Sequence, residues 1–449
     1  MNLDRRITYS AVSLIAALAL AVAHELSAPT PKSITPTLTG KPELCLTCHD
    51  GIEAISSAHP QDVFGCVICH SGNALALDAN LAHAAMRGGK NPSDFSVVEA
   101  SCGGTECHSG SAEAHRDHIQ RATTSIQATY AGAIAQVRRS FGAQPDAVAR
   151  FGVVAIADDR VVSDQAVPSL AQFDPSASGD PQPVIDFAAK CLTCHLSSQP
   201  TNPAGRGAST GASSQPYYYR STGCAACHVT YASDGLYRGS DPTIDKTAPG
   251  HAAAHRLTTA MPYTTCNACH NRGNYSLRQM AFLPRNDLPT SGSPLPEDRL
   301  RDYYQPIGQF TRCEWELDCI DCHTSTEAMG DSDVYSSKFD IQYIRCKTCH
   351  GTLTEPPATA TITDPNDIEL RRAQLNGHYA LQVGDAVLLT ERGEKMGSIQ
   401  FIDGTFIQTL KVGGQVYAIP LVMGTACQQQ SDRQESRYCH ECHAYDRKK

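Results

Sequence analysis

Residues 45–49 read CLTCH: a cysteine, two spacer residues, a second cysteine and a histidine directly after it. The same pattern returns as CVICH at 66–70, CLTCH at 191–195, CAACH at 224–228, CNACH at 266–270, CIDCH at 319–323, CKTCH at 346–350 and CHECH at 439–443. One further stretch, CGGTECH at 102–108, also closes on Cys-His but has four residues between its cysteines. Residues three and four apart share a face of a helical turn, so each corner groups two sulfurs and one imidazole. The use made of 20 cysteines and 18 histidines therefore decides what fold a chain of 449 residues builds.

A C-x-x-C-H corner is the attachment pattern of a c-type haem. The two thiols bond to one edge of the porphyrin, and the histidine becomes the proximal iron ligand. C-x-x-C alone also serves redox and zinc sites. A zinc site would join two corners and would not need a histidine after every second cysteine, so the recurrence favours haem. On this reading the attachment residues are Cys45, Cys48, Cys66, Cys69, Cys102, Cys107, Cys191, Cys194, Cys224, Cys227, Cys266, Cys269, Cys319, Cys322, Cys346, Cys349, Cys439 and Cys442. The proximal ligands are His49, His70, His108, His195, His228, His270, His323, His350 and His443. In 102–108, Gly103 and Gly104 would let two extra residues loop out, which makes a ninth haem c site; the alternative is a small-loop disulfide with His108 left over. Cys313 and Cys427 remain. In an exported chain they suggest a disulfide, with two buried thiols or an intermolecular bridge as the other arrangements.

The histidines outside the proximal set are His24, His59, His83, His115, His118, His251, His255, His378 and His440. His24 stands at the boundary of the export segment; the other eight are predicted distal ligands. An iron held between two imidazoles is closed to substrate and relays electrons. His115 and His118 are three apart and His251 and His255 four apart, so on a helix each pair would share a face. His440 lies inside the last corner and would reach a neighbouring haem. Which histidine serves which iron is not encoded in the spacing.

The opening MNLDRRITYSAVSLIAALALAVAHELSA has a basic start at Arg5 and Arg6, an apolar run over 11–23, and cleavage options at Ala21-Val22-Ala23 and Ser27-Ala28. That is an export signal, and its apolar run is short for a full membrane span. The remaining chain is predicted to be periplasmic, extracellular or at the cell surface, with no membrane span. Removing 1–23 takes away Asp4, Arg5 and Arg6 and moves the formal charge from −9 to −10. This argues against nucleic acid as a partner.

Spacing divides the chain into a signal (1–28), a three-haem segment (29–116), a haem-free helical segment (117–180) and a second three-haem segment (181–275). A linker with two haems (276–350), a haem-free segment with a β module (351–438) and a last haem segment (439–449) follow. Only 6% of residues are aromatic, so the protein core is thin. The predicted fold is mainly α and irregular, loops and short helices wrapped around a stack of covalently bound haems, with a small antiparallel β module near the C-terminus. Apolar positions Ile119, Ile126, Tyr130, Ile134 and Val137 predict a packing helix within 117–141. Over 378–422, β-branched runs alternate with the turns VGD, RGEK, IDGT and VGGQ, which predicts the β module as a docking surface or a lid over the last haem.

With its nine corners, export signal and low aromatic content, the chain resembles multihaem (nonahaem) c-type cytochromes of periplasmic and extracellular electron transfer in anaerobic and metal-respiring bacteria. CIDCHTSTEAMGD at 319–331 also looks like segments of that group. The resemblance implies an electron carrier rather than a substrate-converting enzyme. Its partners would be redox proteins (other cytochromes, quinol-oxidising complexes or surface electron acceptors), and it could form a homo-oligomer or filament. The function expected on these grounds is electron relay through about nine haems. The alternatives are a reductase of a small inorganic substrate at one open haem, or a subunit of a conductive filament. No C-x-x-C-K corner of the nitrite-reductase kind is present.

Overall fold

The computed structural model describes residues 9, 12–19, 30–157, 163–176, 179–192, 196, 221–232, 235–248, 250–263, 265–266, 282–284, 304–306 and 317–426. The expectations for His24, Cys194, His195, Cys269, His270, Cys313, Cys427, Cys439, His440, Cys442 and His443 lie outside these residues, as does the side chain of Cys191.

The corners fold as single turns, as their local spacing dictates. Cys45–Thr47 is a 3-10 turn, and Val67–His70, Ala225–His228, Cys319–Cys322 and Cys346–His350 are short α-helices. The backbone N–H of His49, His70, His228 and His323 donates to the carbonyl of the first cysteine of its own corner, at 3.1, 3.0, 2.9 and 2.9 Å. The long corner keeps this closure: His108 N–H donates to Cys102 O at 3.2 Å, while Cys107 N–H donates to Gly104 O at 2.9 Å. Gly104 sits at φ +118°, a conformation few side chains adopt. The two extra residues are thus looped out and the ends of the corner are preserved. Among the described residues no disulfide is formed, and Cys102 and Cys107 are not joined to each other.

The helix predicted within 117–141 is built in three pieces, His118–Thr124, Ile126–Thr129 and Ala131–Ser140. Thr123 and Thr124 hydroxyls donate back to Ile119 O and Gln120 O at 2.9 Å each. Ser125 breaks the run and caps the next piece through Ala128 N–H at 3.3 Å, and Tyr130 turns it at φ +54°. Hydroxyls that bond locally compete with the helical ladder, which apolar periodicity does not register. Ile134 packs with Val153, Phe173, Val184 and Leu192, and Ala131 and Ala135 pack with Ala149, Leu170 and Val334. Here β1 (Phe151–Gly152), β2 (Ile156–Ala157) and β4 (Ser169–Gln172) form a sheet in the order β1-β4-β2. Between β2 and β4 in sequence, β3 (Ala166–Val167) pairs antiparallel with β7 (Val334–Tyr335). A two-stranded pair, β5 (Phe282–Pro284) and β6 (Tyr304–Pro306), precedes β7 in the chain.

The C-terminal module is an antiparallel five-stranded sheet in the order β12-β11-β10-β9-β8. Its strands are β8 (Thr359–Thr361), β9 (Ala386–Leu389), β10 (Lys395–Ile402), β11 (Thr405–Thr409) and β12 (Val416–Ala418). Asp403 and Gly404, at φ +48° and +81°, make the two-residue hairpin between β10 and β11, where Ile402 faces Thr405. Leu388, Met396, Ile399, Phe406 and Ile419 form its core, with Ile344 and Cys349 packed against it. The chain is therefore a mixture of helix and irregular backbone with one C-terminal sheet; wrapping around a haem stack is not part of what the fold shows. The sheet covers two corners. Gln408 Nε2 donates to Asp321 O at 2.8 Å, Lys411 Nζ to Ile320 O at 2.6 Å, and Val422 N–H to His350 O at 2.9 Å. Among the described residues no helix is long and apolar enough to cross a membrane.

One glycine holds two distant segments together. Gly223, at φ +61°, lies so close to Ser93 that an added Cβ would collide with the Ser93 carbonyl oxygen. Beside it, Asn91 Nδ2 donates to Thr222 O at 3.0 Å and Ala225 N–H donates to Ser93 Oγ at 2.9 Å. Gly223→Ala is expected to lower the unfolding free energy by about 3 kcal/mol, from left-handed strain plus overpacking against fixed backbone. Urea denaturation measures this, and an unchanged midpoint would rule the contact out.

Candidate metal centre

Imidazoles distant in sequence meet in pairs. The ring centres of His49 and His83 lie 6.0 Å apart, those of His70 and His255 6.1 Å, and those of His108 and His118 5.3 Å. His59 lies 5.8 Å from His108 on a nearly parallel plane. A metal–nitrogen bond of about 2.0 Å on each side, plus about 1.1 Å from nitrogen to ring centre, puts two imidazoles about 6 Å apart across a shared metal. Ordinary ring packing covers the same range, so the ring nitrogens must decide.

Those nitrogens are arranged in a consistent way. At four corners the histidine Nδ1 faces an oxygen that can only accept. His49 faces Asp241 Oδ2 at 2.7 Å, His228 faces Thr258 O at 3.0 Å, His323 faces Glu327 Oε2 at 2.8 Å and His350 faces Pro420 O at 2.7 Å. His255 Nδ1 meets Glu53 O at 3.2 Å in the same way. An acceptor-only partner fixes the proton on Nδ1 and leaves the Nε2 lone pair for a metal, the usual arrangement of ligating histidines. His59 Nδ1 lies 3.0 Å from Ser56 Oγ. The buried Nδ1 atoms of His70 and His118 have no hydrogen-bond partner among the described residues.

Six of the rings are held toward the free base. Burial, then the neighbouring imidazoles, push His70, His108 and His118 down to about 4. Burial also lowers His59, His228 and His251. An unfolded imidazole titrates near ~6.5. Between about 4 and ~6.5 the unfolded chain therefore binds more protons than the folded one. The stability of the metal-free chain is full above that window and falls as the pH drops through it. Urea midpoints at pH 7.5 and 5.5 test this; equal midpoints would mean that the rings are not buried in solution.

Some of the thiols are sheltered too, while Cys48 and Cys107 are exposed. Burial pushes Cys69 up to about 11 and Cys224 up to about 12, and raises Cys102. Cys45 and Cys66, from different corners, share a hydrogen bond that lowers Cys45 and raises Cys66. With Glu43 they make the one group of three or more ligand atoms within 4.8 Å of one another among the described residues. Glu43 is fully buried; its Oε2 accepts from Cys66 N–H at 2.7 Å and its Oε1 has no partner among the described residues.

Of the other predicted ligands, His115 lies outside the helix, exposed and at φ +51°, so it and His118 do not share a helical face. His251 and His255 are on irregular backbone, and His255 turns to His70 instead. His378 is exposed on the turn before β9. The sequence reading missed Glu53, Tyr237, Asp241 and Glu327. Glu327 alone had a local signal: it follows His323 by four residues and closes a capping box with Thr324.

Neither a family model, nor a curated protein, nor a solved structure matches this chain. The resemblance is corrected accordingly. With no relative to carry it, and one three-donor group, Glu43, Cys45 and Cys66, in place of nine equivalent sites among the described residues, the chain is not assigned to the multihaem c-type cytochromes. The nine covalently attached haems with their iron, the haem relay, the open-haem reductase and the conductive filament expected of a multihaem cytochrome c fall with it.

Proposed function

We propose that this chain is a metal-binding protein whose corner histidines, with the histidines that face them, take metal centres at Nε2, and that it carries electrons rather than converting a substrate. The observation that carries the reading is the set of Nδ1 atoms anchored on acceptor-only oxygens at His49, His228, His323 and His350. Burial favours the neutral, donating form of His59, His70, His108, His118 and His228. The two thiols of a corner stand on the same turn as anchors. Close grouping supports an electron-carrying role: the rings of His59 and His118 both lie against that of His108, at 5.8 and 5.3 Å between ring centres. The signal-like residues 1–28 would deliver the chain to the periplasm or cell exterior, where its partners would be redox proteins.

Elemental analysis and intact mass of the exported full-length chain test this reading. Transition metal retained in more than one equivalent per chain is the expected result. The mass tells whether the cysteine pairs hold a group covalently or remain thiols. A metal-free chain of full solubility would end the proposal.

A further inference from the structure

His49 and His255 belong to different imidazole pairs, yet one hydrogen-bonded unit reaches both. Asp241, with a side chain 1% exposed, accepts from His49 Nδ1 through Oδ2 at 2.7 Å. Its Oδ1 accepts from the N–H and the hydroxyl of Thr243, each at 2.8 Å. The Asp241 N–H donates to the Tyr237 hydroxyl at 3.0 Å, and that hydroxyl donates to Glu53 Oε2 at 2.7 Å. Glu53 Oε2 also accepts from His255 N–H at 3.1 Å, and Ser240 N–H donates to Oε1. The Glu53 carbonyl closes the unit by facing His255 Nδ1 at 3.2 Å. The neighbouring glycine makes room for it: a Cβ on Gly239 would collide with Glu53 Oε1 and the Tyr237 ring.

Resting on the metal-binding reading above, we propose that Asp241, Tyr237 and Glu53 are positioning residues of one frame. This frame presents Nε2 of His49 and of His255 together, so that the pairs His49/His83 and His70/His255 are set by a common unit. A carboxylate behind a ligating imidazole strengthens it as a donor. Loss of that carboxylate raises the reduction potential of the centre it serves, and loss of the Tyr237 hydroxyl disturbs both centres at once.

The test uses the full-length, metal-loaded chain as wild type, Asp241→Asn and Tyr237→Phe. Metal content is read by elemental analysis and midpoint potentials by spectroscopically monitored redox titration. With metal content unchanged, Asp241→Asn is expected to raise one potential and Tyr237→Phe to move two, while the remaining potentials stay in place. Tyr237→Phe that moves none, only one, or all potentials alike overturns the frame. Should Tyr237→Phe fail to fold, Glu53→Gln asks the same question. A wild-type chain without metal overturns the metal-binding reading and the frame with it; a loaded wild type with unmoved variants overturns the frame alone.

Discussion

Replacing Glu327 by Ala lowers the unfolding free energy by roughly 3–5 kcal/mol, the range for removing one partner from a buried, charged and hydrogen-bonded group. Glu327 is 2% exposed. One of its oxygens accepts from Tyr343 N–H at 2.6 Å and Ile344 N–H at 2.8 Å; the other accepts from His323 Nδ1 at 2.8 Å and Thr324 N–H at 3.4 Å. Truncation leaves these donors without their acceptor, each at a cost of about 1–3 kcal/mol when buried. Burial pushes the carboxyl upward, but the His323 ring and the two backbone donors more than offset it, and it titrates below its ordinary value. Its stabilisation is therefore present above the ordinary carboxylate range and is lost as the pH falls through the depressed value. Urea denaturation at pH 7 compares wild type, Glu327→Ala and Glu327→Gln. The Gln variant, which keeps one acceptor oxygen, is expected to fall between the other two. A midpoint unchanged in Glu327→Ala would mean that the corner at 319–323 is not held from behind.

His70→Ala is expected to remove one metal centre from the chain and leave the others. The ring lies 6.1 Å from that of His255, and its buried Nδ1 has no hydrogen-bond partner among the described residues. His255→Ala is expected to remove the same centre, and the double variant to lose no more than either single one, because both serve one metal. His115→Ala is the matched control: the residue is exposed and turned by a positive φ, and its loss is expected to leave the metal content as it was. Metal per chain, measured on all four proteins after removal of loosely bound ions, decides. Additive losses from His70→Ala and His255→Ala would break the pairing.

The parts of this structure that were legible in the sequence are the local ones. Cys at i and i+3 with His at i+4 makes a helical turn by itself, and CGGTECH keeps the same closure because its glycines absorb the insertion. The C-terminal sheet was readable from β-branched runs and turn glycines such as Gly384, Gly393, Gly404 and Gly414, which take positive φ values. Its first strand, β8, precedes the predicted range because a short TAT run carries little pattern. The helix over 117–141 was overcalled, since the hydroxyls of Thr123, Thr124 and Ser125 divide it. The candidate site was half legible. Its histidines could be named, but their partners could not, because those contacts join distant parts of the chain. His49 and Asp241 are 192 residues apart, and Glu53 and His255 are 202. Such pairings depend on tertiary packing and leave no periodic trace. The family resemblance rested chiefly on the corners, and a motif of five residues carries a chemistry more readily than a lineage.

The most direct test of the account is X-ray absorption at the metal edge of the purified, exported full-length chain. The account predicts a first shell containing nitrogen, with the outer-shell pattern of about two imidazole rings per metal. A first shell of sulfur and carboxylate oxygen without imidazole would contradict it, and would direct attention to Glu43, Cys45 and Cys66 instead.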